Sequence, residues 1–70
     1  MEMKRLSAGN LRAAGYDKAT RTLRVELSGG TILEYAGVSE DLYRRLMSSA
    51  SAWSFYRDNI EEELTAKRVR

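Results

Sequence analysis

The strongest pattern in the chain is the alternation of apolar and polar side chains over residues 22–27. Leu23, Val25 and Leu27 share one face of a strand with this alternation, because successive side chains of a strand point to opposite sides. The pattern therefore predicts a strand that buries one face and exposes the other.

Residues 31–35 predict the next strand, and the turn between the two strands sets their register. A two-residue turn would place Glu34 beside the apolar stripe of the first strand. A three-residue loop over residues 28–30, with Gly30 in the left-handed conformation of a bulge, keeps this carboxylate away from the core. We therefore predict the register that pairs Leu27 with Thr31, Val25 with Leu33 and Leu23 with Tyr35.

Residues 11–16 predict a strand before this hairpin, followed by a turn in which the Asp17 side chain caps its own backbone. Leu11 points toward the core in this assignment. Gly15 inside the strand indicates a bulge or a close approach of another backbone. Because a bulge changes the face that the following residue takes, the face of Tyr16 stays open.

From Ser39 onward the chain contains neither glycine nor proline, and its apolar residues take helical spacing. Ser39 predicts the N-cap of a first helix, and Ser51 predicts the N-cap of a second one. The apolar face of the first helix consists of Leu42, Tyr43, Leu46 and Met47, and that of the second consists of Trp53, Tyr56, Ile60 and Leu64.

Strands followed by helices indicate an α+β domain. We predict a three-stranded antiparallel β-meander followed by two short α-helices packed on one face. The 70 residues hold a single domain, 1–70, with a core over about residues 7–64 and a basic C-terminal tail over residues 65–70. The tail is expected to be solvated, and a tail that contacts phosphates is the alternative.

The composition narrows the classes of function. Histidine and cysteine are both absent, which removes the commonest general base, the commonest metal ligand and the thiolate nucleophile. We therefore expect no enzyme, no cofactor and no metal. No apolar run approaches the ~18 residues of a membrane span, and the charged N-terminus does not resemble a secretory signal. A cytoplasmic protein without a membrane partner is expected.

The net charge of +2 is too small to indicate a strongly basic nucleic-acid binder. Arg12 and Arg24 are expected on the outer face of the sheet, with Tyr16 as a candidate stacking residue. Glu26 and Glu34 would lie on the same face and oppose phosphates, so a mixed solvated surface is the alternative. The candidate nucleic-acid contacts are Arg12, Tyr16, Arg24, Arg44, Arg45, Lys67, Arg68 and Arg70.

A second candidate surface lies at the start of the second helix. One narrow stripe of a helix cannot bury Trp53, Phe55 and Tyr56 together, so these side chains are a candidate patch for another protein or for a second copy of the chain. A wide core face on this helix is the alternative.

Short runs distributed over the chain, from about Ser7 to Ile60, resemble the KTSC domain family. The runs are Asn10-Leu11-Arg12, Gly15-Tyr16-Asp17, Arg21-Thr22-Leu23-Arg24-Val25-Glu26, Gly30, Tyr35-Ala36-Gly37-Val38, Leu42-Tyr43, Leu46, Ser51, Phe55-Tyr56 and Ile60. In the central Tyr-X-Tyr of the family, Leu33 takes the first place here and Tyr35 the second. Ser39 stands where the family usually has proline, and the family's glycine in the corner near Trp53 is missing.

The family takes its name from the C-terminus of some lysyl-tRNA synthetases and also occurs as short stand-alone bacterial proteins. The resemblance therefore implies a small non-enzymatic binding module of uncharacterised function with RNA as a candidate partner. A protein-interaction or self-association module is the alternative. If the first tyrosine of the central motif stacked on bases, Leu33 would weaken that role. The predicted register instead turns Leu33 and Tyr35 toward the core, which favours a packing role for the motif.

Overall fold

The protein, in a computed structural model that describes residues 2–70, combines a five-stranded antiparallel sheet with one layer of helices. The strands pair in sequence order. They are β1 (Met3–Ala8), β2 (Leu11–Asp17), β3 (Thr22–Leu27), β4 (Ile32–Tyr35) and β5 (Ala66–Arg68). Between β4 and β5 lie α1 (Glu40–Ser48), α2 (Ala52–Tyr56) and a π-helical turn (Arg57–Glu61) that continues α2.

The predicted α+β class is confirmed, but the sheet has five strands where we predicted three. β1 was missed because its residues are at most half-buried, so no apolar stripe marks it. β5 consists of three exposed residues, and backbone pairing holds this segment of the chain to the sheet. The Val69 N–H donates to the Ile32 carbonyl at 2.8 Å, and the Ile32 N–H donates to the Arg70 carbonyl at 2.9 Å. The side chains of residues 65–70 are exposed, and the sequence predicted no strand in this segment.

The predicted register of the central hairpin is confirmed. Val25 lies opposite Leu33 and Leu23 opposite Tyr35, while the Leu27 N–H donates to the Thr31 carbonyl at 2.8 Å. The loop needs residues that tolerate positive φ, because Gly29 and Gly30 have φ of 94° and 92°.

The bulge in β2 lies between Leu11 and Ala13 rather than at Gly15. Gly15 is buried in the regular ladder, where it pairs with Met3 on one side and with Arg24 on the other. Tyr16 consequently lies opposite Leu23, on the face of the sheet that the helices cover. This position answers the question that the sequence left open.

Both helices begin directly after the serines that the sequence predicted as their N-caps, Ser39 and Ser51. The Ser39 hydroxyl oxygen accepts a hydrogen bond from the Leu42 N–H at 3.0 Å, which confirms it as a capping residue. Ser51 is the N-cap of α2 by position, but its side chain makes no capping hydrogen bond and contacts the Ser54 hydroxyl instead.

The core lies between the helices and one face of the sheet. It contains the apolar side chains of β2, β3 and β4 together with those of α1, α2 and the π-helical turn: Leu11, Ala14, Leu23, Val25, Tyr35, Val38, Leu46, Ala52, Tyr56 and Ile60. Tyr35 and Tyr56 are fully buried, and one of their hydroxyls donates to the other at 2.6 Å. The opposite face of the sheet carries charged side chains, which include Arg24 and Glu34.

Candidate functional site

A cleft with a volume of about 350 Å³ opens beside the β1 edge of the sheet. We call it the tyrosine cleft. Two residues each of tyrosine, lysine and glutamate line it: Glu2, Lys4, Tyr16, Lys18, Glu40 and Tyr43.

Tyr16 of β2 and Tyr43 of α1 stack in this cleft. Their ring centroids are 5.0 Å apart and the ring planes differ by 13°. The Tyr16 hydroxyl donates to the Val38 carbonyl at 2.5 Å, which ties β2 to the segment that leads into α1. Both rings are half-buried, so they help to hold α1 on the sheet and still present aromatic surface to the cleft.

Strand pairing and helical spacing bring the charged residues to these rings. Lys4 of β1 lies opposite Ala14, and Tyr16 is two residues further along the same face of β2. Lys18 follows the end of β2 directly. Glu40 stands three residues before Tyr43 on α1, a spacing that makes their side chains neighbours.

The lysine and glutamate charges of the tyrosine cleft balance but do not form ion pairs with each other. Within the described part of the chain, the ion pairs join Arg24 to Glu34 and Arg45 to Asp41, so neither cleft lysine is bound to Glu2 or Glu40. Burial, and then the negative charge of Glu2, raise the pKa of Tyr43, which therefore stays protonated at neutral pH. The cleft offers hydrogen-bond donors, carboxylate acceptors and an aromatic surface together.

The outer face of the sheet does not combine the residues expected there. Arg24 lies on this face, but its Nε donates to the Glu34 Oε2 at 2.8 Å and its Nη2 contacts the same oxygen. Arg12 is exposed at the bulge of β2. Tyr16 lies on the opposite face and so does not join Arg24.

The other basic candidates form two separate groups. Arg44 and Arg45 are exposed on α1, the helix that carries Tyr43, and the Arg45 Nε lies 3.0 Å from the Asp41 Oδ2. Lys67, Arg68 and Arg70 are exposed in and just after β5, which is the opposite edge of the sheet from β1. Their role as nucleic-acid contacts stays a prediction.

The candidate protein-interaction patch loses one of its three residues, because Tyr56 is fully buried. Trp53 and Phe55 are the two that remain. Both are half-buried and pack against the core. The Trp53 ring stacks on Tyr56 with centroids 5.7 Å apart, and a Cβ at Gly9 would lie only 2.8 Å from its Cγ. Protein binding by Trp53 and Phe55 stays a prediction.

Sequence reasoning found Tyr16 but missed the residues that surround it. Tyr43 was assigned only to an apolar helix face, and Glu40 was not among the candidate site residues. Lys4 carried no signal, because its place depends on the pairing of β1 with β2. The helical spacing of Glu40 and Tyr43 was visible in the sequence, but β1, the strand that brings Lys4 to the cleft, was not.

Residues 2–70 contain no group of three or more acidic, histidine or cysteine side chains that could hold a metal ion. No helix formed by these residues has the length and apolar character that crossing a membrane requires.

The five-stranded sheet, the single helical layer and the open cleft define a small two-layer α+β domain. The model of the KTSC domain matches residues 7–63, and the chain therefore belongs to the KTSC domain family. The crystal structure of a KTSC domain protein from Yersinia pestis is similar over 99% of this chain and 97% of that chain, with a TM-score of 0.91 and 23% sequence identity. This likeness extends the shared fold beyond the matched residues to β1 and β5. No curated protein matches the sequence.

Proposed function

We propose that this domain is a non-enzymatic module that binds single-stranded RNA in the tyrosine cleft. One observation carries the proposal: two lysines that are not ion-paired within the cleft stand beside two stacked, partly accessible tyrosine rings. Proteins that bind unpaired RNA combine such aromatic surface, on which bases stack, with basic groups that contact phosphates.

The size of the cleft supports this function. A volume of about 350 Å³ is at the lower end of the range for small-molecule sites, roughly 300–1,000 Å³, and suits one nucleotide rather than a long duplex. Stacking of a base on an aromatic ring contributes about 1–3 kcal/mol, so one base with two phosphate contacts gives weak to moderate affinity.

The exposed Arg44 belongs to the same helix as Tyr43 but does not line the cleft, because consecutive helical residues do not face each other. It would contact only a more distant phosphate of the same strand. Arg24 contributes less, because Glu34 already neutralises its charge. The basic residues of β5 lie at the far edge of the sheet and would need a longer RNA.

A titration of the isotopically labelled domain with single-stranded RNA of mixed sequence, followed by NMR at two salt concentrations, tests the proposal. We expect saturable shifts of the amides around Tyr16, Lys18, Glu40 and Tyr43. For single strands the slope of log K against log salt is about −0.7 per phosphate, so contacts by Lys4 and Lys18 predict a slope of roughly −1.4.

Matched variants locate the contact. Lys18→Gln should weaken binding and reduce the salt slope by about 0.7. Lys67→Gln removes the same charge at the opposite edge of the sheet and should leave binding to a short RNA unchanged. Shifts centred on β5, or an unchanged spectrum at low salt, would contradict the proposal.

Self-association is the second candidate, and the exposed edge strand β1 supports it. β1 is an edge strand of six residues, and an edge strand offers unpaired backbone groups to a second copy. Lys4 and Arg5 disfavour pairing of two β1 edges, because like charges would meet. Sedimentation at increasing protein concentration tests this candidate, and a single monomeric species would remove it.

A further inference from the structure

The two carboxylates of the tyrosine cleft point to a particular base, an inference that rests on the proposed RNA-binding function. Glu2 and Glu40 line the same cavity as the lysines and would repel a phosphate. A phosphate gains nothing from them, whereas a donor group of the base or the ribose 2′-hydroxyl can bond to a carboxylate. Neither is bound to Lys4 or Lys18, so their acceptor oxygens are available for hydrogen bonds from a ligand.

Guanine matches this combination of groups. Among the four RNA bases, only guanine has two adjacent N–H donors, N1–H and N2–H₂, on its Watson–Crick edge. A carboxylate accepts two parallel hydrogen bonds from such an edge, as it does from a guanidinium. Adenine and cytosine have a single amino donor next to a ring acceptor, and uracil has one donor between two acceptors.

Glu40 is the carboxylate best held for this role. It belongs to the first turn of α1, whose N-terminus is fixed by the hydrogen bond between the Leu42 N–H and the Ser39 hydroxyl oxygen. Its spacing of three residues places it beside the ring of Tyr43. A base that stacks on this ring would have its edge within the same cleft as the Glu40 carboxylate. Glu2 precedes β1 and has no comparable anchor.

We propose that the tyrosine cleft selects an unpaired guanine, which stacks on the aromatic surface of Tyr43 while Glu40 accepts hydrogen bonds from N1–H and N2–H₂. Lys4 and Lys18 contact the phosphates of the same strand. This arrangement gives each kind of group in the cleft a partner on one nucleotide: ring on ring, carboxylate on donors, and ammonium on phosphate.

Three uridine heptamers that differ only in the central residue test the selection. The central residue is guanosine, inosine or adenosine, and the affinity of each RNA is measured by fluorescence anisotropy. We expect the guanosine heptamer to bind about tenfold more tightly than the adenosine heptamer, because a good bidentate contact discriminates by roughly this factor. Inosine keeps N1–H but lacks the N2 amino group, so its affinity should be intermediate.

The variant Glu40→Gln assigns the preference to one side chain. It should lose most of the discrimination between guanosine and adenosine and bind the adenosine heptamer at least as well as the parent protein does, because a repulsive charge is removed. Glu63→Gln removes one charge from an exposed residue that does not line the cleft and should keep the full preference.

Three results would overturn the inference, and they differ in what they mean for the proposed function. Equal affinity for the three heptamers, with shifts still centred on the cleft, would leave RNA binding in place and refute selection of guanine. Absence of binding to all three at low salt would refute both. A preference for guanosine that survives in Glu40→Gln would overturn the assignment to this carboxylate.

Discussion

Two tyrosine pairs join the sheet to the helices, and their surroundings are opposite. Tyr35 of β4 and Tyr56 of α2 are fully buried, with centroids 5.9 Å apart and ring planes at 79°. Tyr16 of β2 and Tyr43 of α1 are half-buried, and their rings are nearly parallel. Both pairs connect a strand to a helix. They differ in burial, in the angle between the rings and in the groups that surround their hydroxyls.

The difference separates packing from binding. In the buried pair the two hydroxyls satisfy each other, and among residues 2–70 no buried side-chain polar atom lacks a partner. The cleft pair is surrounded instead by charged groups that are not paired with one another. Tyr35 is also the second tyrosine of the central family motif, and its buried hydrogen bond supports a packing role for that position.

Truncation of one tyrosine from each pair should give the largest contrast. Tyr56→Ala removes a fully buried ring and should cost about 3–5 kcal/mol in the free energy of unfolding. Tyr43→Ala removes a half-buried ring and should cost about 1 kcal/mol, while it abolishes most of the RNA affinity. Urea denaturation followed by Trp53 fluorescence and circular dichroism measures both costs.

Two results would contradict the predicted contrast between the two tyrosine pairs. Because a domain of this size has a total stability of only about 5–15 kcal/mol, Tyr56→Ala is expected to be near the limit of folding. Equal losses of stability in the two variants would show that the cleft pair is a second part of the core. RNA affinity that is unaffected by Tyr43→Ala would exclude stacking on this ring.

Removal of single hydroxyls should give a smaller but more specific effect. Tyr35→Phe or Tyr56→Phe leaves one buried hydroxyl without its partner and should cost about 1–3 kcal/mol. The double variant removes both polar groups, so it should be more stable than the sum of the single losses predicts. Additive losses in this double-mutant cycle, measured by urea denaturation, would argue against a hydrogen bond between the two hydroxyls.

Local signals predicted the centre of the fold, and long-range pairing decided its edges. The alternation of β3 and the glycines of the loop fixed the hairpin register, and Ser39 marked the start of α1, because each of these depends on neighbours in the sequence. β1 and β5 have no such signal. β5 joins β4 only after the chain has passed through both helices, and it consists entirely of exposed residues.

The candidate site was less predictable for the same reason. The tyrosine cleft needs β1 to place Lys4, the position of the β2 bulge to turn Tyr16 inward, and α1 to bring Tyr43 above it. The sequence led us to expect a bulge or a close approach at Gly15, which left the face of Tyr16 open. By contrast, the hairpin register placed Tyr35 on the core face, and helical spacing placed Tyr56 on the apolar face of the second helix. The contact between the two tyrosines was not predicted.

Alkaline pH should give a further test of the buried pair. Burial raises the pKa of Tyr56 above its usual value, and its hydrogen bond with the Tyr35 hydroxyl adds to this effect. Burial raises the pKa of Tyr35 as well. A tyrosine in the unfolded chain has a pKa of about 10, so the unfolded state loses protons at a pH where the folded state keeps them.

The stability that this difference contributes is present in full below about pH 10 and is lost as the pH rises from there toward the folded pKa values. The free energy of unfolding should therefore fall by up to about 1.4 kcal/mol per pH unit for each of the two tyrosines.

Tyrosinate absorbance and circular dichroism, recorded together from pH 9 to pH 12, measure how tyrosine ionisation is coupled to unfolding. The variant Tyr56→Phe is the control, because it removes one of the two titrating groups. Because the buried hydroxyls ionise only when the core opens, their absorbance should appear together with the loss of secondary structure. Ionisation of all four tyrosines in a domain that keeps its circular dichroism would show that water reaches the buried pair, and the two pairs would then no longer be distinct.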